Sequence, residues 1–170
     1  AVACHEVGHH LAGTPTYWSG MSVEGESDYF AMLKCLRKFN LSLSQEEIEL
    51  LKIPNVEVAD AVRANCAEQF ETDADIFNCE QGGMAGLSLG SLLAELGGKD
   101  HPKFETPDDK VVSKTNQRHP QAQCRLDTYF QGAICEVSHT DELNMKDEYV
   151  GACSRNNNFD TGNRPLCWYK

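Results

Sequence analysis

Positive charge is scarce in this chain of 170 residues. Lys and Arg together number 15 against 26 Asp and Glu, for a net charge of −11. Such a balance repels polyanions, so it argues against a nucleic-acid or anionic-membrane footprint. Long hydrophobic runs are also missing, and no stretch approaches the length needed to cross a bilayer. No Cys-x-x-Cys pair is present to suggest a zinc knot or a redox motif. Strand-like alternation is almost absent, as are repeats and low-complexity tracts. What remains is ordinary globular composition, 41% hydrophobic and 24% charged, long enough to bury one substantial core.

Cysteine is plentiful. Cys4, Cys35, Cys66, Cys79, Cys124, Cys135, Cys153 and Cys167 are an even number spread along the chain, which reads as four disulfides and an oxidising, secreted or periplasmic compartment. The short loops favour Cys66 with Cys79 and Cys153 with Cys167. Ala1 in the place of an initiator methionine, with no visible signal peptide, leads to the expectation of a processed chain.

The pattern is helical almost throughout. Residues 1–12 form a first helix that Gly13 and Pro15 stop. A second is expected over 23–39, where Tyr29, Met32, Leu33 and Leu36 recur at helical spacing. Ser44 and Glu47 match a capping box ahead of Ile48 and Leu51, with Pro54 ending that short helix. Val58, Val62, Cys66 and Phe70 mark the next at four-residue spacing. Gly82 and Gly83 punctuate the chain before a Leu-rich helix that Gly97 and Gly98 end. Residues 99–118 read as a long surface connection, Pro120 opens another helix, and the last 35 residues are irregular and cystine-tied.

One motif carries chemistry. His5-Glu6-Val7-Gly8-His9 is an HExxH on a helix, which sets two imidazoles one turn apart on a single face with a carboxylate beside them. That geometry suits one zinc ion. A catalytic zinc wants a third protein ligand and an open position. The metzincin extension is excluded, because its Gly and His positions hold Ala12 and Pro15. The second helix offers Glu24-Gly25-Glu26-Ser27-Asp28, an ExxxD with both ends on one face, Glu24 to bind metal and Asp28 to orient a ligand imidazole. Glu26 falls on the other side and is expected as a solvated acid. His10 lies off the ligand face. Tyr17, Trp18 and Tyr29 are near in sequence and are expected to serve core packing rather than the substrate cleft.

With HExxH and ExxxD in this order, the chain resembles the gluzincin metallopeptidases, and His119-Pro120 followed by Arg125, an HPxxxxR, narrows the resemblance to the CAAX-prenyl-protease and HtpX-type branch and the soluble minigluzincins. The resemblance implies that His5, His9 and Glu24 bind Zn2+, that Asp28 accepts from His5, and that His119 and Arg125 help to bind substrate and stabilise the oxyanion. It implies a mainly α, zincin-like metallopeptidase core over residues 1–134, with residues 135–170 as a disulfide-tied extension. The upstream β-sheet of that family is missing or minimal here, which leads to the expectation of a missing amino-terminal segment, a second chain as partner, or a lineage that dispenses with the sheet. The expected activity is a zinc endopeptidase acting on peptide or protein substrates, with Glu6 as general base. A non-catalytic zinc-stabilised binding module would need the same ligands but not Glu6, and a cystine-rich structural domain would need no metal.

Overall fold

The computed structural model describes residues 1–44, 46–48 and 57–170. It is mainly helical. The helices are α1 (Val2–Leu11), α2 (Glu24–Phe30), which continues through a π-helical stretch (Ala31–Leu36) into α3 (Arg37–Leu41), α4 (Asp60–Gln69), α5 (Asp73–Leu96) and α6 (Ala122–Ile134). Among the described residues there is no strand, only a bridge between Thr16 and Ser22. Among these residues no helix is long and apolar enough to cross a membrane.

Most expected helices form close to their predicted bounds. Gly13, at a φ of +79°, follows the end of α1 as anticipated. The Ser44–Glu47 capping box is made in both directions, Ser44 N–H to Glu47 Oε2 at 2.8 Å and Glu47 N–H to Ser44 Oγ at 3.3 Å. The expected breakpoint at Pro54 lies outside the described residues. Val62 and Cys66 of α4 are buried, with Val58 and Phe70 packed against them.

Gly82 and Gly83 do not punctuate the chain. They lie inside α5, which begins at Asp73 under a Thr72 cap. Their role is close approach: a Cβ on Gly82 would meet Ala133 at 2.9 Å, and one on Gly83 would meet Val62 at 2.9 Å. The missing side chains let α5 lie against α4 and α6, and the α5–α6 contact is the most extensive between any two elements.

All eight cysteines are paired: Cys4–Cys35, Cys66–Cys79, Cys124–Cys167 and Cys135–Cys153. The Cys66–Cys79 expectation holds and Cys153–Cys167 does not. The reason is the course of the tail. Cys124 and Cys135 sit near opposite ends of α6, roughly 16 Å apart at 1.5 Å per residue. The tail is bonded to the far end through Cys153 and to the near end through Cys167. A direct bond between those two would need their Cα atoms within about 7 Å. Four disulfides without a free thiol fit an oxidising compartment.

The tail also determines the fate of Glu26. It is not a solvated acid. Arg164 reaches it with two bonds, Nε to Oε2 at 2.5 Å and Nη2 to Oε1 at 2.6 Å, and both side chains are buried. Trp168, fully buried, lies flat enough against α2 that a Cβ on Gly25 would overlap its ring. The irregular tail thus covers the face of α2 that helical periodicity alone would leave to solvent.

Candidate metal centre

Two helices meet where both carry small residues. A Cβ on Gly8 would lie 2.8 Å from Ser27 Cα and 2.9 Å from Ser27 O, so glycine in the middle of the HExxH is what lets α1 settle onto α2. Three side chains converge at that crossing: the ligand atoms of His5, His9 and Glu24 all lie within 4.8 Å of one another, and all three residues are buried. His5 Nε2 is 3.4 Å from Glu24 Oε2, and His9 Nε2 is 3.8 Å from Glu24 Oε1.

Both imidazoles are held by their other nitrogen. His5 Nδ1 is 2.7 Å from Asp28 Oδ1, and His9 Nδ1 donates to Ser22 O at 2.8 Å with Ser27 Oγ 3.0 Å away. A donor at Nδ1 fixes the neutral tautomer and leaves the Nε2 lone pair facing inward. When both rings are neutral, two lone pairs and a carboxylate therefore point at one another. Three acceptors gathered out of water repel unless a cation or protons sit among them. Glu24 Oε2 is buried and accepts no well-formed hydrogen bond. Ligands on a tetrahedral zinc with bonds of about 2.0–2.1 Å stand roughly 3.3–3.4 Å apart, which the 3.4 Å between His5 and Glu24 matches and the 3.8 Å between His9 and Glu24 slightly exceeds. The donor set of two imidazoles and one carboxylate is one zinc accepts.

Charge supports the same picture. Burial works to lower the His5 pKa, but the Asp28 and Glu24 carboxylates outweigh it and hold it up at about 9. Burial works to raise Glu24, yet His5, His119 and His9 bring its pKa below the usual carboxylate value. The pocket favours positive charge.

The remaining sequence candidates fall around this cluster. Glu6 is exposed on α1 next to His5 and is not among the ligand atoms. His119 brings Nε2 to 3.1 Å from Glu24 Oε2 while its side chain stays 72% exposed. Arg125 is gathered in too. It is buried, donating Nε to Asp28 Oδ2 at 2.7 Å, and Nη2 to Asp28 Oδ1 at 2.6 Å and to the Tyr129 hydroxyl at 3.0 Å. These bonds fix the carboxylate that fixes His5. His10 is exposed, as expected for a histidine off the ligand face.

Of the three aromatics, Tyr29 is fully buried with its hydroxyl donating to Gly162 O at 2.6 Å, and Tyr17 is partly buried against the cluster of Val23, Cys124, Cys167 and Trp168. The Tyr17 hydroxyl also donates to Gln117 O at 2.6 Å and comes within 3.4 Å of Glu24 Oε1, whereas Trp18 is fully exposed. Two supporting groups carried no sequence signal strong enough to single out: Ser22, which serves through its backbone carbonyl, and Tyr129, whose only hint is its place four residues after Arg125 on α6. A second grouping of metal-binding atoms, Asp108 with Cys124 and Cys167, offers no thiolate because the two sulfurs are bonded to each other. Comparisons with family models, with curated proteins and with solved structures give no match for this chain.

Proposed function

We propose that the chain is a zinc-dependent endopeptidase of zincin-like, gluzincin type, working outside the cytoplasm in a secreted or periplasmic setting. One observation carries this reading: His5 Nε2, His9 Nε2 and the Glu24 carboxylate converge in a buried cluster, and the residue after His5 on the same helix is Glu6, which is exposed. A zinc ion held by His5, His9 and Glu24 would polarise a scissile carbonyl and lower the pKa of water toward neutrality.

The chain's own residues supply the rest. Glu6 accepts a proton from the attacking water and passes it to the leaving amine, a role that needs a free carboxylate beside the ligands. His119, beside Glu24 and largely exposed, is available to donate to the oxygen that gains negative charge. Asp28 and Ser22 O keep the two imidazoles oriented, and Arg125 keeps Asp28 in place.

The presence of Glu6 favours this reading over a zinc-stabilised binding module, which has no use for it. The test is metal content together with chelator-sensitive cleavage of casein, for the wild type and Glu6→Gln in parallel. The expected result is one zinc per chain in both proteins and turnover in the wild type alone. Zinc without turnover in either would reassign the chain as a binding module, and absence of zinc would remove the metal site altogether.

A further inference from the structure

Exposed apolar side chains from three segments gather around one groove. Val7 and Leu11 of α1, Phe39 of α3 and Met145 of the tail are 41–62% exposed. With Phe30 and Leu143 they wall a cavity of about 660 Å³ between α1, the continuous α2–α3 helix and the tail. Small-molecule sites span roughly 300–1,000 Å³. Val7 stands two residues from both His5 and His9, and residues two apart on a helix point to opposite sides. The groove is therefore on the side of α1 away from the metal cluster.

The walls are fastened to one another. Cys4–Cys35 bonds α1 to the π-helical stretch, Thr14 N–H donates to Asn144 O at 3.1 Å, and Lys34 Nζ donates to Ser138 O at 2.5 Å. A groove held in this way is already shaped before anything enters it.

Lys34 says what enters. It belongs to the π-helical stretch Ala31–Leu36, a rare turn form that recurs at functional sites. It lines the groove although it is only 6% exposed. An ammonium has three donors, and among the described residues Ser138 O is the one hydrogen-bond acceptor that Lys34 reaches. No carboxylate among those residues comes within ion-pair distance of it. A buried charge is costly unless it is paired, so an anion placed on Lys34 would gain what the chain itself does not supply. The other charges along the groove are Lys38, Asp141 and Glu142, all exposed. They offset one another in part, which leaves the buried ammonium as the selective element.

We propose that this groove binds a fatty acid, with the alkyl chain along Val7, Leu11, Phe39 and Met145 and the carboxylate on Lys34. The ammonium selects a carboxylate over a neutral or cationic head, and the apolar walls select a long chain over a short acid. Nothing in the site depends on the metal cluster or on the peptidase reading.

The test is isothermal titration of the full chain, with and without chelator, using dodecanoate, dodecanol, dodecyltrimethylammonium and butyrate below micelle-forming concentrations. Dodecanoate is expected to bind once per chain in both conditions. Dodecanol is expected to bind about tenfold or more weakly, and the other two not measurably. Lys34→Met keeps an apolar stem, so it should retain dodecanol and lose about tenfold or more in dodecanoate affinity. Leu11→Asp changes an exposed wall residue, so it should keep the wild-type melting temperature and weaken dodecanoate by about tenfold. That variant keeps the test decisive if Lys34→Met fails to fold.

Wild-type dodecanoate affinity in either variant overturns the proposal, as does equal binding of dodecanoate and dodecyltrimethylammonium. Binding that disappears with chelator would place the carboxylate on a metal instead. Many dodecanoate molecules per chain would mark detergent-like adsorption. A dimer in sedimentation that Leu11→Asp breaks, with no dodecanoate bound, would give the groove to a second copy of the chain.

Discussion

Arg125 grips Asp28 with two parallel charge-assisted hydrogen bonds, Nε to Oδ2 at 2.7 Å and Nη2 to Oδ1 at 2.6 Å, and the same Oδ1 is 2.7 Å from His5 Nδ1. A candidate metal ligand is thus oriented by a carboxylate that is itself oriented by an arginine 97 residues away. Removing the arginine leaves a buried carboxylate without its cationic partner and with only His5 to bond it, a kind of loss that typically costs about 3–5 kcal/mol. Arg125→Met is therefore expected to be strongly destabilised in guanidinium. Asp28→Asn is expected to bind zinc about 10–100-fold more weakly, the usual effect of losing the partner of a ligating histidine. Wild-type zinc affinity in Asp28→Asn would remove Asp28 from the site's support.

Gly8 sets the spacing of the two ligand helices. Alanine is the better helix former by about 1 kcal/mol, so Gly8→Ala on an open helix would stabilise. Here the new methyl would lie 2.8 Å from Ser27 Cα, and overpacking of this kind costs about 1–3 kcal/mol. The steric term wins. The variant is expected to melt lower and to bind zinc more weakly, because His5 and His9 move away from Glu24 together. Titration with a chromophoric chelator measures the second effect.

His119 differs from the buried ligands in being largely exposed. His119→Ala is expected to keep the fold and the zinc while losing about a hundredfold in kcat, the typical effect of removing one oxyanion donor. If zinc were lost along with activity, His119 would belong with the ligands.

Lys34 gives a pH dependence that does not involve the metal. It is buried, donates to Ser138 O at 2.5 Å, and burial brings its pKa down to about 8 against an ordinary 10.5, with Asp141 partly opposing. Its folded value lies below its unfolded one, so below about pH 8 the fold carries the whole penalty of a buried ammonium. Between about pH 8 and 10.5 the unfolded chain holds the extra proton, and stability attributable to Lys34 rises with pH. The stability difference between the wild type and Lys34→Met should therefore shift in favour of the wild type across that window. Denaturant midpoints at pH 7 and pH 10 measure it, and every cysteine is bonded, so no free thiol is present to start exchange. A difference that stayed constant would show that Lys34 is not perturbed.

The sequence by itself determined what depends on local spacing. HExxH and ExxxD name His5, His9, Glu24 and Asp28 because a helix puts residues four apart on one face, and apolar periodicity marked most of the helices. Only the tertiary structure decided what depends on distant segments. Helical spacing sent Glu26 to solvent, but Arg164 lies 138 residues away and buries it. Gly82 and Gly83 looked like stops, because nothing local reveals that α4 and α6 press against them. Cys153 and Cys167 are close in sequence, yet each is bonded to an opposite end of α6. Arg125 was legible as a site residue and illegible as a support, since its partners were fixed only when α6 packed against α2. Short-range geometry follows from backbone periodicity, whereas burial and charge pairing follow from which surfaces meet, and that is a property of the folded chain.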